Sequence, residues 1–163
     1  CGLTLATVHH YFGTKRGLYD ACLSGAYASM AAAAPPILAL LRDVEVPVRA
    51  RVEQATRHAF RSAVEHPDRS RFLMRAALFE TVDDGALPAL QRGFAASSTA
   101  AVAQLLGHTD LERLRLALVA LSFLLNRFGG VPLARLQVTT ELADRHAAAE
   151  AYVVEVALAT IVP

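Results

Sequence analysis

Cysteine occurs only twice in the 163 residues, at Cys1 and Cys22, too few for a disulfide scaffold and not spaced as a metal site. Both are expected as reduced thiols in a cytoplasmic protein. An excess of one charge sign is missing too: 16 basic against 15 acidic side chains leave a formal charge of +1. Composition therefore announces no nucleic-acid binder, and any such role must rest on a local patch. Lysine appears once, as Lys15, a skew towards arginine that fits a GC-rich coding background and carries no functional weight. No membrane span and no membrane partner are expected, because the most apolar segment, Leu114 to Leu125, is interrupted by Arg115 and closed by Asn126 and Arg127. A basic start followed by an apolar run and a small-residue cleavage site is also absent, so no export signal is expected. Sustained two-residue alternation is missing as well, which argues against a sheet.

What is present is apolar and helix-forming. At 54% hydrophobic and 19% charged, with mean hydropathy +0.34, the chain has ample material for a core and is expected to associate as well as fold. Its 17.4 kDa suit one domain, or one domain with a small appendage. The predicted class is all-α. Thr4 caps a short helix to about Phe12, and Gly13-Thr14 breaks it and caps a longer one from Lys15. Pro35-Pro36 is expected to kink or end that second helix, with a short piece, Ile37 to Leu41, following. Val48, Val52, Ala55, Ala59 and Ala63 mark the next helix, stopped by His66-Pro67. Phe72, Ala76 and Phe79 mark another, closing at Asp83-Asp84-Gly85, and Pro88 to Leu106 a further one ended by Gly107.

The last two helices differ in kind. Between Asp110 and Phe128, Leu111, Leu114, Leu118, Leu121 and Leu125 fill one face while Leu116, Val119 and Phe123 fill much of another, so neither side is expected to meet water. From Ala143 to Ile161, Ala147, Ala151, Val154 and Leu158 stand in register, with small residues that allow close helix approach. These two helices read either as a homodimer interface or as the central hairpin of a monomer's core.

The richest stretch is the opening one, Cys1-Gly2-Leu3-Thr4-Leu5-Ala6-Thr7-Val8-His9-His10-Tyr11-Phe12-Gly13-Thr14-Lys15-Arg16-Gly17-Leu18-Tyr19. Val8 and Phe12 lie four apart and are expected to point inward with Leu3 and Leu18. Leu5, Ala6, Thr7, His9 and His10 then occupy the remaining faces, a small, hydrogen-bonding set of the kind a helix needs to enter the DNA major groove. Thr14 and Lys15 open a second helix whose free N–H groups and ammonium suit a phosphate oxygen.

This stretch resembles the recognition helix and following turn of the TetR family of bacterial transcription regulators. Gly2, Leu3 and Thr4 stand where that family has a Gly, an apolar residue and a capping Ser or Thr. The helix then ends in an aromatic pair, and Gly13, Thr14, Lys15 and Leu18 follow in the family's order. The likeness covers Cys1 to Leu23, with two departures: His9 where a Tyr is usual, and Arg16 where an acidic residue is usual. It implies a helix-turn-helix remnant in residues 1–34, a helical ligand-binding and dimerisation domain in residues 35–163, and two further helices ahead of Gly2. It also implies that Leu5, Ala6 and Thr7 meet base edges or a thymine methyl, that His9 and His10 are shared between base and phosphate, and that Tyr11 and Lys15 hold the backbone. A core role for Tyr11, with only its hydroxyl at the surface, remains open, and Thr4 and Thr14 act as helix caps in any case.

The implied function is a cytoplasmic, ligand-responsive regulator of transcription, a repressor by expectation, that binds a palindromic DNA operator as a homodimer and is released by a small apolar effector. The resemblance further implies a pocket beyond Met30, with the effector tilting the helix that starts at Lys15. Phe60, Phe72, Met74, Phe79, Phe94 and Phe123 are its candidate apolar walls, and Arg75, Ser97, Ser98 and Asn126 its polar contacts. Each Phe fits a plain core role as well, and Arg75 fits an ion pair with Glu80. No metal set, nucleophile with base or phosphate loop is apparent, so neither an enzyme nor a cofactor is expected; His58, His66, His108 and His146 are assigned to surfaces or loops. The rival reading is a helical ligand-binding or protein-interaction domain without DNA binding.

Overall fold

Side-chain caps set where three helices begin. In the computed structural model, which describes residues 4–79, 86–131 and 145–163, Thr4 accepts the Thr7 backbone N–H at 3.2 Å and opens α1 (Leu5–Phe12). Thr14 accepts the Gly17 N–H at 3.0 Å and opens α2 (Lys15–Arg42). The helices α3 (Val48–Glu65), α4 (Pro67–Phe79) and α5 (Ala86–Leu106) follow. Asp110 then accepts the Arg113 N–H at 3.0 Å to open α6 (Leu111–Gly129), and α7 (Arg145–Thr160) completes the chain. Among the described residues there is no strand: the protein is all-α. Gly107, at φ +74°, closes α5 in the left-handed region that favours glycine. The expected stop at Asp83-Asp84-Gly85 lies outside the described residues.

Pro35 and Pro36 do not end α2, which runs unbroken for 28 residues. Each proline removes one backbone hydrogen bond and crowds the carbonyl a turn behind it. Here both prolines are exposed and the residues a turn behind are Ala31 and Ala32, while Leu41 beyond them is buried and Ile37 and Leu40 pack beside it in the main core. Docking of that end offsets the lost bonds. The helix also crosses the expected boundary between residues 34 and 35 without a break.

A second correction concerns the same helix. Ala21 to Leu41 carries no charged residue, and α2 is long and apolar enough to cross a bilayer by length and composition, at a mean hydropathy of 1.3 over 18 residues. Leucine density drew attention to Leu114–Leu125 instead, because alanine supplies most of the apolarity of α2. Only 11% of its apolar window is buried in the protomer, and length with composition does not by itself place a helix in a membrane.

Two apolar clusters organise the packing. The main core joins Leu41 of α2, Val52, Ala55 and Phe60 of α3, Val102, Ala103 and Leu106 of α5, Leu114, Ala117 and Leu121 of α6, and Ala149, Val153 and Ala157 of α7. A smaller one joins Leu23 and Ala26 of α2 to Leu73 and Ala76 of α4, with Tyr19, Met30 and Phe72 beside it. Arg51 of α3 fastens two helix ends at once, donating from Nη1 to the Leu41 carbonyl at 2.8 Å and the Leu105 carbonyl at 3.4 Å. Arg69 of α4 donates to Ser29 Oγ of α2 at 3.1 Å and to the Ser62 carbonyl of α3 at 3.1 Å. Burial pushes the Arg69 guanidinium below its ordinary value.

Much of the leucine face of α6 is covered within the chain itself. Leu114, Leu121 and, on α7, Val154 are buried within the protomer, and Leu118, Leu125 and Leu158 pack against the same core. The reason is α3, which packs against both α6 and α7 and covers that face. Of the residues expected at a dimer interface, only Leu111, Ala147 and Ala151 are exposed. Contrary to expectation, α6 does turn an apolar face outward: Leu116 is 69% exposed, and Val119 and Phe123 are exposed beside it.

Candidate nucleic-acid interface and ligand cavity

The first helix buries none of its eight residues. It packs on α2, and the turn between them is fixed by local geometry. Gly13 sits at φ +67°, its N–H donating to the His9 carbonyl at 2.9 Å, while Thr14 donates to the Phe12 carbonyl at 2.7 Å. Gly17 is required by space: a Cβ there would lie 2.2 Å from the Phe12 carbonyl oxygen. That contact sets how closely the end of α1 approaches the first turn of α2.

On this small frame Leu5 is 76% and Tyr11 75% exposed, which removes the core role for Tyr11. Ala6, His10 and Lys15 are exposed and Thr7 half-buried. Val8 and Leu18 are half-buried and Phe12 stays exposed, so the inward set is shallower than expected; Leu3 lies outside the described residues. Thr4 and Thr7 bring their hydroxyl oxygens to 2.9 Å of each other, and the rings of His10 and Tyr11 meet edge-on with centroids 5.4 Å apart. Arg16, at the position usually acidic in the resembled family, pairs with Asp20 at 3.0 Å and lies over the Tyr19 ring.

His9 is committed to the turn. Its Nδ1 lies 2.7 Å from the Gly13 carbonyl oxygen, which can only accept, so Nδ1 carries the proton and donates. The neutral ring then presents Nε2 as an acceptor. Such an atom suits a base amino group and repels a phosphate unless the ring is protonated.

The second feature is a cavity of about 320 Å³ between α2, α4, α5 and α6. Tyr27 and Met30 reach it from α2, and Leu73, Met74 and Ala77 from α4. Gln91, Arg92, Phe94 and Ala95 come from α5, and Arg115, Val119, Ser122, Phe123 and Asn126 from α6. Tyr27 and Phe94 hold their ring centroids 5.8 Å apart at one wall.

Of the expected pocket residues, Met74, Phe94, Phe123 and Asn126 line this cavity, and Phe60, Phe72, Arg75, Ser97 and Ser98 do not. Phe60 is a core side chain, because α3 turns it into the main cluster. Phe72 packs beside Tyr19 in the smaller cluster, ring centroids 5.5 Å apart. Arg75 and Ser97 are exposed outside the lining, Ser97 donating to the Phe94 carbonyl at 3.0 Å. Ser98 is half-buried outside the lining. The side chain of Phe79 and all of Glu80 lie outside the described residues. Sequence reasoning missed Tyr27, Gln91, Arg92 and Arg115; the signal available was Arg115, a charge set among the leucines of α6.

Among the described residues no three His, Cys, Asp or Glu side chains gather as a metal site would require. His58 and His66 are exposed, but His108 is half-buried and bonds through Nε2 to the Ile161 carbonyl, tying the α5–α6 connection to the end of α7; His146 is half-buried on α7. Cys22 is an exposed free thiol on α2. No protein-family model, no curated protein and no solved structure matches this chain.

Proposed function

We propose that the chain is a ligand-responsive transcription regulator of the TetR type, working as a homodimer, with α1 as the helix that enters the DNA major groove and the four-helix cavity as the effector site. The observation that carries this reading is an eight-residue helix with no buried residue, side-chain-capped at its start and glycine-stopped at its end, held out from the body on α2. A helix that contributes nothing to the core needs another reason to be ordered, and the small polar set at Thr4, Thr7 and His10 suits base edges and phosphates. Tyr11 and Lys15 flank it at the backbone positions, and Leu5 and Ala6 at the base-contacting ones. Exposed apolar positions on α6 and α7, Leu111, Leu116 and Ala151, supply a surface for the second protomer.

An effector releases DNA only through its preference for the arrangement that does not bind the operator. Tyr27 and Met30 place α2 in the cavity wall, so a ligand that favours a tilted α2 repositions α1.

Selection of duplexes from a random pool by the complete gene product tests the reading. A palindromic site bound with a steep loss of affinity in salt is expected. Enrichment of no site, with flat or absent binding across salt, favours the rival. A specific observation gives that rival weight: Leu5, Tyr11 and Phe12 expose an apolar surface on α1 that would also suit a protein partner.

A further inference from the structure

We infer that the cavity between α2, α4, α5 and α6 takes a small amphipathic anion, an apolar body carrying a carboxylate, and that Arg92 and Arg115 hold its head. Three properties of the lining point there. Its side walls are apolar, with Leu73, Met74, Phe94 and Phe123 facing the same space. Among the described residues its charged groups are all of one sign: Arg92 from α5 and Arg115 from α6, with no Asp or Glu in the lining. Among the described residues neither guanidinium makes a hydrogen bond or ion pair, whereas Arg57 and Arg61 meet Glu150 and Arg71 meets Asp68.

A guanidinium fork fits a carboxylate through two parallel N–H···O bonds. A sugar or nucleotide would leave the methionine and phenylalanine walls unmatched. The volume, about 320 Å³, is at the lower end of small-molecule sites and suits a small ligand.

This names the effector class of the regulator reading and rests on that reading for its biological consequence. The test contains no DNA, so its outcome stands apart from operator binding. Isothermal titration of the full chain with octanoate, octan-1-ol and acetate separates head from body. Octanoate is expected to bind saturably, octanol more weakly, and acetate not measurably at the same concentrations. Arg92→Ala and Arg115→Ala, both at exposed positions and so expected to leave the far-UV spectrum unchanged, should each weaken octanoate about five- to tenfold while leaving octanol unaltered. Octanol binding as tightly as octanoate overturns the proposal. So does octanoate affinity that both substitutions leave intact, acetate competing as well as octanoate, or no saturable octanoate binding at millimolar concentration.

Discussion

Gly129→Ala is the sharpest probe of how the cavity wall is held. A methyl group on Gly129, the last residue of α6, would sit 2.7 Å from the carbonyl carbon and Cβ of Ala63 and 2.8 Å from its carbonyl oxygen, where ordinary contact begins at 3.4 Å. Two of those three atoms are backbone of α3, so no rotamer change relieves the clash and the two helices must part. Overpacking of this kind costs about 1–3 kcal/mol. Alanine's helix-propensity advantage over glycine, at most about 1 kcal/mol in a helix interior, is smaller at a helix end. The expected net loss is about 2 kcal/mol, a fall in Tm of about 4–8 °C for a chain of this size. Urea unfolding followed by far-UV circular dichroism reads it, with the slope unchanged and the midpoint lowered. Adding Ala63→Gly removes only the Cβ contact, so the double variant should recover less than half. A midpoint for Gly129→Ala at or above that of the unaltered chain, or full recovery in the double variant, refutes the close approach of α3 and α6.

Leu116→Asp with Ala151→Asp, both at exposed positions, should convert a dimer to a folded monomer by light scattering at micromolar concentration; a dimer that survives both changes rules out this face. Lys15→Ala should weaken operator binding for all sequences alike and lower the salt slope by about 1, and a sequence-dependent loss would contradict a phosphate role. Gly17→Ala, whose Cβ would lie 2.2 Å from the Phe12 carbonyl oxygen, should cost operator affinity at least about tenfold while barely moving Tm, since α1 buries nothing; a large Tm loss would show that α1 supports the core. Glu150→Gln removes the partner of Arg57 and Arg61 and should lower stability by roughly 0.5–1 kcal/mol. Arg57 is raised by its hydrogen bond to Glu53 and then by that to Glu150, and a cation so raised loses its stabilisation only as pH climbs through the folded value. The Arg57 contribution should therefore be flat from about pH 6 to 9, and a step in that window would implicate another group.

The elements that sequence resolved were those whose signals are local. Thr4, Thr14 and Asp110 start helices because a side-chain oxygen reaches a backbone N–H three residues on, and Gly13 and Gly107 stop them because the chain there needs positive φ. Which apolar face meets the protomer's own core is a tertiary matter. By spacing alone Leu114, Leu121 and Val154 fit a partner as well as a core, yet all three are buried within the chain, Leu114 and Leu121 in the cluster that holds Val52 and Phe60 of α3. The same limit hid the cavity. Arg92 and Arg115 lie 23 positions apart on different helices, and no spacing rule joins them, whereas Phe60 and Phe72 carried the aromatic signal yet pack into the cores. The Pro35-Pro36 pair misled for a related reason: the propensity of two residues was outweighed by the docking of Leu41.

How a ligand in this cavity reaches α1 follows from the dimensions of α2. The far end of that helix is pinned, with Leu41 buried and its carbonyl held by Arg51. At 1.5 Å per residue, Met30 lies about 16 Å and Lys15 about 39 Å from that anchor. If α2 swings as a rod, a displacement of about 1 Å at Met30 becomes about 2.4 Å at Lys15, and α1 moves with it because it rests on α2. In the proposed homodimer, twofold symmetry would apply the opposite shift to the second copy of α1, which would change the spacing that a palindrome tests. The link between α2 and α4 through Arg69 and Ser29 opposes that swing, since it ties the first half of the lever to the cavity's own wall. On the proposed function, a ligand must therefore prefer the swung state by more than the cost of loosening that tie, and each further 1.4 kcal/mol or so of preference would be worth about tenfold in operator release.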